Sequence, residues 1–200
     1  MEIIFREDCL KELYEEGKTK HKKYKTLQKD IVKRFIKTID ILKAAEKIET
    51  LFLFNSLNYE KLKGDKKGIE SVRVNDKYRI EFISSKRSND MTTNKLIPFI
   101  ATHPGEVIKD EIEARNISLQ TFASLLGVES SYLDELISGK RSITVDTASL
   151  LERELCIPAS FWLHLQSQYN LDCRNIEIKR SKEQYTITEQ PVEEYACAIC

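Results

Sequence analysis

The chain has 200 residues, 41% hydrophobic and 32% charged, with 32 basic side chains balancing 32 acidic ones. That is enough apolar material for one large domain or two of ~100 residues, and it excludes wholesale disorder. No run approaches the ~18 apolar residues of a membrane span, the opening Met1–Asp8 lacks the basic-then-apolar order of a secretory signal, and five unevenly spaced cysteines make no disulfide framework, so a cytoplasmic protein without a membrane partner is expected.

The overall balance conceals a division. Residues 1–90 carry 22 Lys and Arg against 16 Asp and Glu, whereas residues 91–200 carry 10 against 16. A basic half joined to an acidic half fits a polyanion partner for the first, mutual attraction of the two, or two domains that merely differ in charge.

In chain order, the apolar run Ile3-Ile4-Phe5 predicts a short strand. Asp8 then caps a helix carrying Leu10, Leu13 and Tyr14, ended by Gly17. A very basic segment follows, with Lys18, Lys20, His21, Lys22, Lys23 and Lys25. Leu27, Ile31, Phe35, Ile39 and Leu42 mark the apolar stripe of a long helix. After Leu57 the period changes to two: residues 68–74 and 77–83 read as strands joined by a turn at Asn75-Asp76-Lys77. Alternation puts Val72, Val74, Ile80 and Phe82 on a core face and Arg73, Arg79 and Glu81 opposite. With Lys63 nearby, that second face suits phosphate chemically; charge alone favours a solvated sheet face.

Leu62-Lys63-Gly64-Asp65, Gly68, Ser71-Val72-Arg73-Val74-Asn75 and Tyr78-Arg79-Ile80 together resemble the HigB branch of the RelE-like mRNA interferases over residues 1 to about 83. The resemblance implies an α+β domain, two helices on a small antiparallel sheet. It implies metal-independent cleavage of ribosome-bound mRNA without a cofactor, with Lys63, Arg73 and Arg79 as catalytic positions. It departs from the family at one point. Nothing between Ser84 and Leu96 supplies the final strand with its Tyr or His, so the toxin-like half reads as cut short at its C-terminal strand.

In the second half, His103 caps a helix with Pro104 in its first turn, and Ser118 caps one containing Leu119, Phe122, Ala123 and Leu126. A turn at Gly127 leads to a helix from Ser130 to Ser138, ended by Gly139. Further helices follow Thr144 and Pro158, with Trp162 in the core and Cys156 and Cys173 as buried or idle thiols. This pattern, with His103-Pro104-Gly105-Glu106-Val107, Ser138-Gly139-Lys140-Arg141 and Phe161 to Tyr169, resembles the HigA branch of the XRE helix-turn-helix antitoxins over about residues 96–175. It implies an all-α five-helix domain that binds operator DNA as a homodimer and contacts the toxin. On that implication Ser130, Ser131 and Tyr132 face bases, and Gln120, Thr121, Lys140 and Arg141 reach the backbone.

The expected units are 1–90, toxin-like; 91–180, antitoxin-like; and a tail at 181–200. Its Cys197-Ala198-Ile199-Cys200 belongs to that tail. The leading reading is an autorepressing antitoxin fused to, and neutralising, an interferase-like toxin within or between chains. A working interferase held in check, and a non-catalytic decoy for a separate toxin or antitoxin, are the alternatives.

Overall fold

The computed structural model of the chain describes residues 1–84 and 96–188, with side chains to residue 182. The expected seam at 84–95 falls almost wholly outside the described residues, as does the Cys197/Cys200 pair.

The first half begins with α1 (Asp8–Glu16) and α2 (Lys29–Ala44). The expected strand at Ile3–Phe5 does not form. That segment runs beside α2, and the Met1 ammonium donates to the Lys43 and Ala45 carbonyls at 2.6 and 2.8 Å. Asp8 lies in the first turn of α1 and Glu7 takes the cap position, without a side-chain bond. Gly17 ends the helix at φ 68°, in the left-handed region. Leu27 precedes α2, which is buried from Phe35 to Leu42 on every side, polar Lys37, Thr38 and Asp40 included. A helix apolar on one face yet buried all round must lie between two partners.

A short α3 (Ile48–Leu51) leads to an antiparallel sheet of three strands, β1 (Glu60–Lys61), β2 (Glu70–Arg73) and β3 (Arg79–Phe82), in the order β1-β2-β3. β1 pairs Glu60 with Ser71, and β2 pairs Ser71 with Glu81, Val72 with Ile80 and Arg73 with Arg79. The hairpin connection is wider than the expected turn and takes in Val74 to Tyr78. The Asn75 side-chain oxygen accepts from the Lys77 and Tyr78 amides. Val72 is fully buried on the core face, with Ile80 and Phe82 half-buried beside it.

The second half holds α4 (Pro104–Ala114), α5 (Leu119–Leu126), α6 (Ser130–Ile137), α7 (Val145–Leu155) and α8 (Ala159–Thr188). His103 Nδ1 accepts from the Gly105 amide, and Ser118 and Thr144 cap α5 and α7 through Thr121 and Thr147. Such caps contribute ~1 kcal/mol each. Burial holds the His103 imidazole below its usual value, so the accepting nitrogen stays unprotonated. The break expected at residue 181 falls inside α8, because the helix continues to Thr188. Cys156 and Cys173 are exposed, not buried. Trp162 is fully buried, as expected.

Candidate nucleic-acid surfaces and the joint between the halves

Arg73 and Arg79 face each other across β2 and β3, so both project from the sheet side opposite Val72 and Ile80. Arg79 is the better held. Its Nε donates to Ser71 Oγ at 3.1 Å and its Nη2 to the Asn58 carbonyl at 2.6 Å, with the Glu60 carboxylate 3.5 Å away. Arg73 is paired with Asp76, and Lys66 with Glu81 at 2.6 Å. Lys63 is exposed in the loop after β1, outside that row, and forms no ion pair among the described residues. The structure thus brings the two arginines together and sets the lysine at their margin. Sequence reasoning missed Asn58, Ser71 and Glu60. They reach Arg79 only through the β1–β2 register, which a two-residue strand does not announce.

The helix-turn-helix elements are α5 and α6. Gln120 and Thr121 are exposed in the first turn of α5, and Ser130 and Ser131 in that of α6. Tyr132 turns inward: its hydroxyl shares a 2.7 Å hydrogen bond with Thr147, and the Arg141 guanidinium lies 4.6 Å above its ring. Arg141 also pairs with Glu135, whereas Lys140 is exposed without an ion pair among the described residues. Gly105 brings α4 against α6; a methyl there would lie 2.2 Å from the Leu136 carbonyl oxygen.

The halves meet along α2 and the stretch after α3. Phe54 packs against Phe161 and Trp162 of α8, with ring centres 5.0 and 6.3 Å away. Glu111 of α4 is completely buried; its carboxylate accepts the Asn55 and Ser56 amides at 2.9 and 3.1 Å and Arg115 Nε at 2.8 Å. Arg115 in turn donates to the Leu53 and Leu155 carbonyls. Deeper in, Asp40 accepts from Tyr14 at 2.6 Å, Thr102 at 2.7 Å and Gln168 at 3.4 Å, while Lys43 lies between Asp40 and Asp172. Toward the surface Lys33 pairs with Glu106 and Lys37 with Asp110, at 2.9 and 2.5 Å. The charge difference between the halves is therefore partly spent in their joint. The arginine-bearing sheet face stays open to solvent.

Two family models match: "RelE-like toxin of type II toxin-antitoxin system HigB" over residues 3–96 and "Helix-turn-helix" over residues 108–162. The first match runs past residue 83, where the resemblance read from the motifs stops. Virulence-associated protein I of Dichelobacter nodosus is 36% identical over 72 residues, which is 36% of this chain and 67% of that protein. YddM of Escherichia coli, an uncharacterized HTH-type transcriptional regulator, is 30% identical over 74 residues, 36% of this chain and 79% of that protein. Among solved structures, an addiction module antidote protein of a HigA family from Coxiella burnetii is 28% identical, covering 46% of this chain and 99% of that one, with a TM-score of 0.37.

Proposed function

Because the chain belongs to the HigB–HigA type of toxin–antitoxin proteins, as a RelE-like toxin domain joined to a helix-turn-helix antitoxin-like domain, we propose that its C-terminal half binds operator DNA and neutralises in cis the toxin domain it carries. The observation that carries this reading is where the toxin half docks. It packs on α4 and α8 and leaves the first turns of α5 and α6 exposed. The N-terminal turn of α6 enters the major groove with Ser130 and Ser131 at base edges, while Gln120, Thr121 and Lys140 hold phosphate. Arg141 joins them by exchanging Glu135 for the backbone. Tyr132 supports the helix from behind. Two chains pair to reach half-sites about one DNA turn apart. The units are residues 1–90 and 91–180, α8 continuing past the second.

The test is fluorescence anisotropy with the full chain and a duplex of its own promoter. Ser131→Ala relaxes sequence preference, and Lys140→Ala weakens all duplexes alike and lowers the salt slope by ~1. Absence of promoter binding by the wild type at low salt overturns the reading.

A second reading is favoured by the uncovered sheet face: the toxin half cleaves ribosome-bound mRNA. The ribose 2′-hydroxyl loses its proton and attacks the adjacent phosphorus. The bond to the 5′-oxygen then breaks, and that oxygen takes up a proton. Arg79, Arg73 and Lys63 neutralise the phosphorane, and Glu60, beside Arg79, is placed to take the first proton. If so, Arg79→Ala and Glu60→Gln each lower cleavage ~100-fold or more. A wild type that leaves ribosome-bound mRNA intact makes this half a binding partner only.

A further inference from the structure

The stretch from Lys18 to Lys29 holds six lysines and no carboxylate. All six are exposed, and none forms an ion pair among the described residues. The joint between the halves uses Lys33, Lys37 and Lys43 instead. The turn is ordered for all its charge. Thr19 is buried and donates to Glu12 at 2.5 Å, the Tyr24 and Lys25 amides both return to the His21 carbonyl, and the Leu27 amide returns to that of Tyr24. Six like charges held on one short, pinned segment repel one another, and an anionic partner relieves that repulsion.

Its continuity with α2 points to the partner. Lys29 opens α2, one helical turn, about 6 Å, before Lys33. Lys33, Arg34 and Lys37 form one wall of an open groove of about 840 Å3 whose other walls are the acidic face of α4 and the end of α6, with Asp134, Glu135 and Lys140. The basic turn therefore runs directly into the helix that faces the end of α6 across this groove. The helix assigned to the major groove, α6, lacks cations of its own: Asp134 and Glu135 sit on it, and Arg141 is held by Glu135. Arg115 is committed to Glu111, and Arg153 to Glu154. A helix-turn-helix unit with so few free cations cannot by itself release many counterions from a duplex.

We propose that the lysine-rich turn of the toxin half is part of the DNA-binding surface, gripping operator backbone phosphates beside the segment that α6 reads. This rests on the operator-binding reading above and extends it: the fused toxin supplies the electrostatic part of binding and the antitoxin half supplies base recognition. The turn contributes affinity and salt dependence but no sequence preference.

The test uses the full chain with Lys20, Lys22, Lys23 and Lys25 all changed to Ala, and a second variant with the same four changed to Arg. Anisotropy on promoter and scrambled duplexes is followed from 50 to 200 mM salt. The Ala variant is expected to lower the slope of log K against log salt by two or more and weaken both duplexes at least tenfold, with their ratio unchanged. The Arg variant keeps the wild-type slope, which separates charge from folding. Wild-type promoter binding with an unchanged slope in the Ala variant overturns this proposal alone. No wild-type binding at all overturns the operator-binding reading and this extension with it. Loss of binding to purified ribosomes in the Ala variant, with the DNA slope intact, assigns the turn to RNA and also overturns it.

Discussion

The Thr102 hydroxyl donates to Asp40 at 2.7 Å, joining the segment that leads into α4 to the middle of α2. Asp40 is almost completely buried, and that burial pushes its carboxyl up to about 6, against the pull of Tyr14, Lys43 and Thr102. A carboxyl raised in the folded state binds its proton more tightly there than in the unfolded chain. Its contribution is therefore fully present below about pH 4 and is lost as the pH rises through about 6. Across that window the wild type should lose about 3 kcal/mol relative to Asp40→Asn, which has no such proton to lose. Urea midpoints from pH 4 to 7 for the two proteins check this; parallel curves would refute it.

Glu111 closes a second link. Replacing it by Ala strands the Asn55 and Ser56 amides and the Arg115 guanidinium in the joint, at a cost of about 3 kcal/mol. A double-mutant cycle with Arg115→Ala should return a coupling of 1 kcal/mol or more. Strict additivity in urea unfolding would show the contact to be idle.

Phe54 fills the apolar centre of the joint. Phe54→Ala should cost about 3–5 kcal/mol through lost burial and the cavity left beside Phe161 and Trp162. Trp162 is the chain's single tryptophan, so its fluorescence reports the change directly. An unfolding midpoint and emission maximum identical to wild type would contradict this packing.

Gly105 is the contact point of α4 and α6. Gly105→Ala drives a methyl into the Leu136 carbonyl and should cost about 1–3 kcal/mol, despite the better helix propensity of Ala. Promoter affinity should fall in the same variant, because α6 is displaced. Thermal unfolding and anisotropy measured together test both; a stabilised variant would be incompatible with the close approach.

What could be read from residue order follows periodicity and punctuation. Val72, Ile80 and Phe82 alternate with Arg73 and Arg79 because a half-buried hairpin requires it. His103, Ser118 and Gly127 mark helix ends because backbone groups there need partners. β1 escaped because two exposed residues have no period. Ile3–Phe5 misled because an apolar triplet is compatible with any buried extended segment. The joint was the least legible part. Asp40, Lys37 and Glu111 look like solvent-facing positions on amphipathic helices, and a polar side chain does not reveal whether its partner is water or a distant segment of the chain. Arg79 could be named from its motif, but its hold on Ser71 and Asn58 exists only once β1 and β2 are in register.

Phe54, Glu111 and Asp40 make the joint one between two parts of a single polypeptide. The association is therefore intramolecular, at an effective concentration of ~mM for a short connector. Dilution does not part the halves, and their ratio is always one to one, however much protein is made. On the in-cis reading proposed above, a cell holding this chain would not free the toxin-like half by letting a separate antitoxin run short; it would have to cut the polypeptide or pry the joint open.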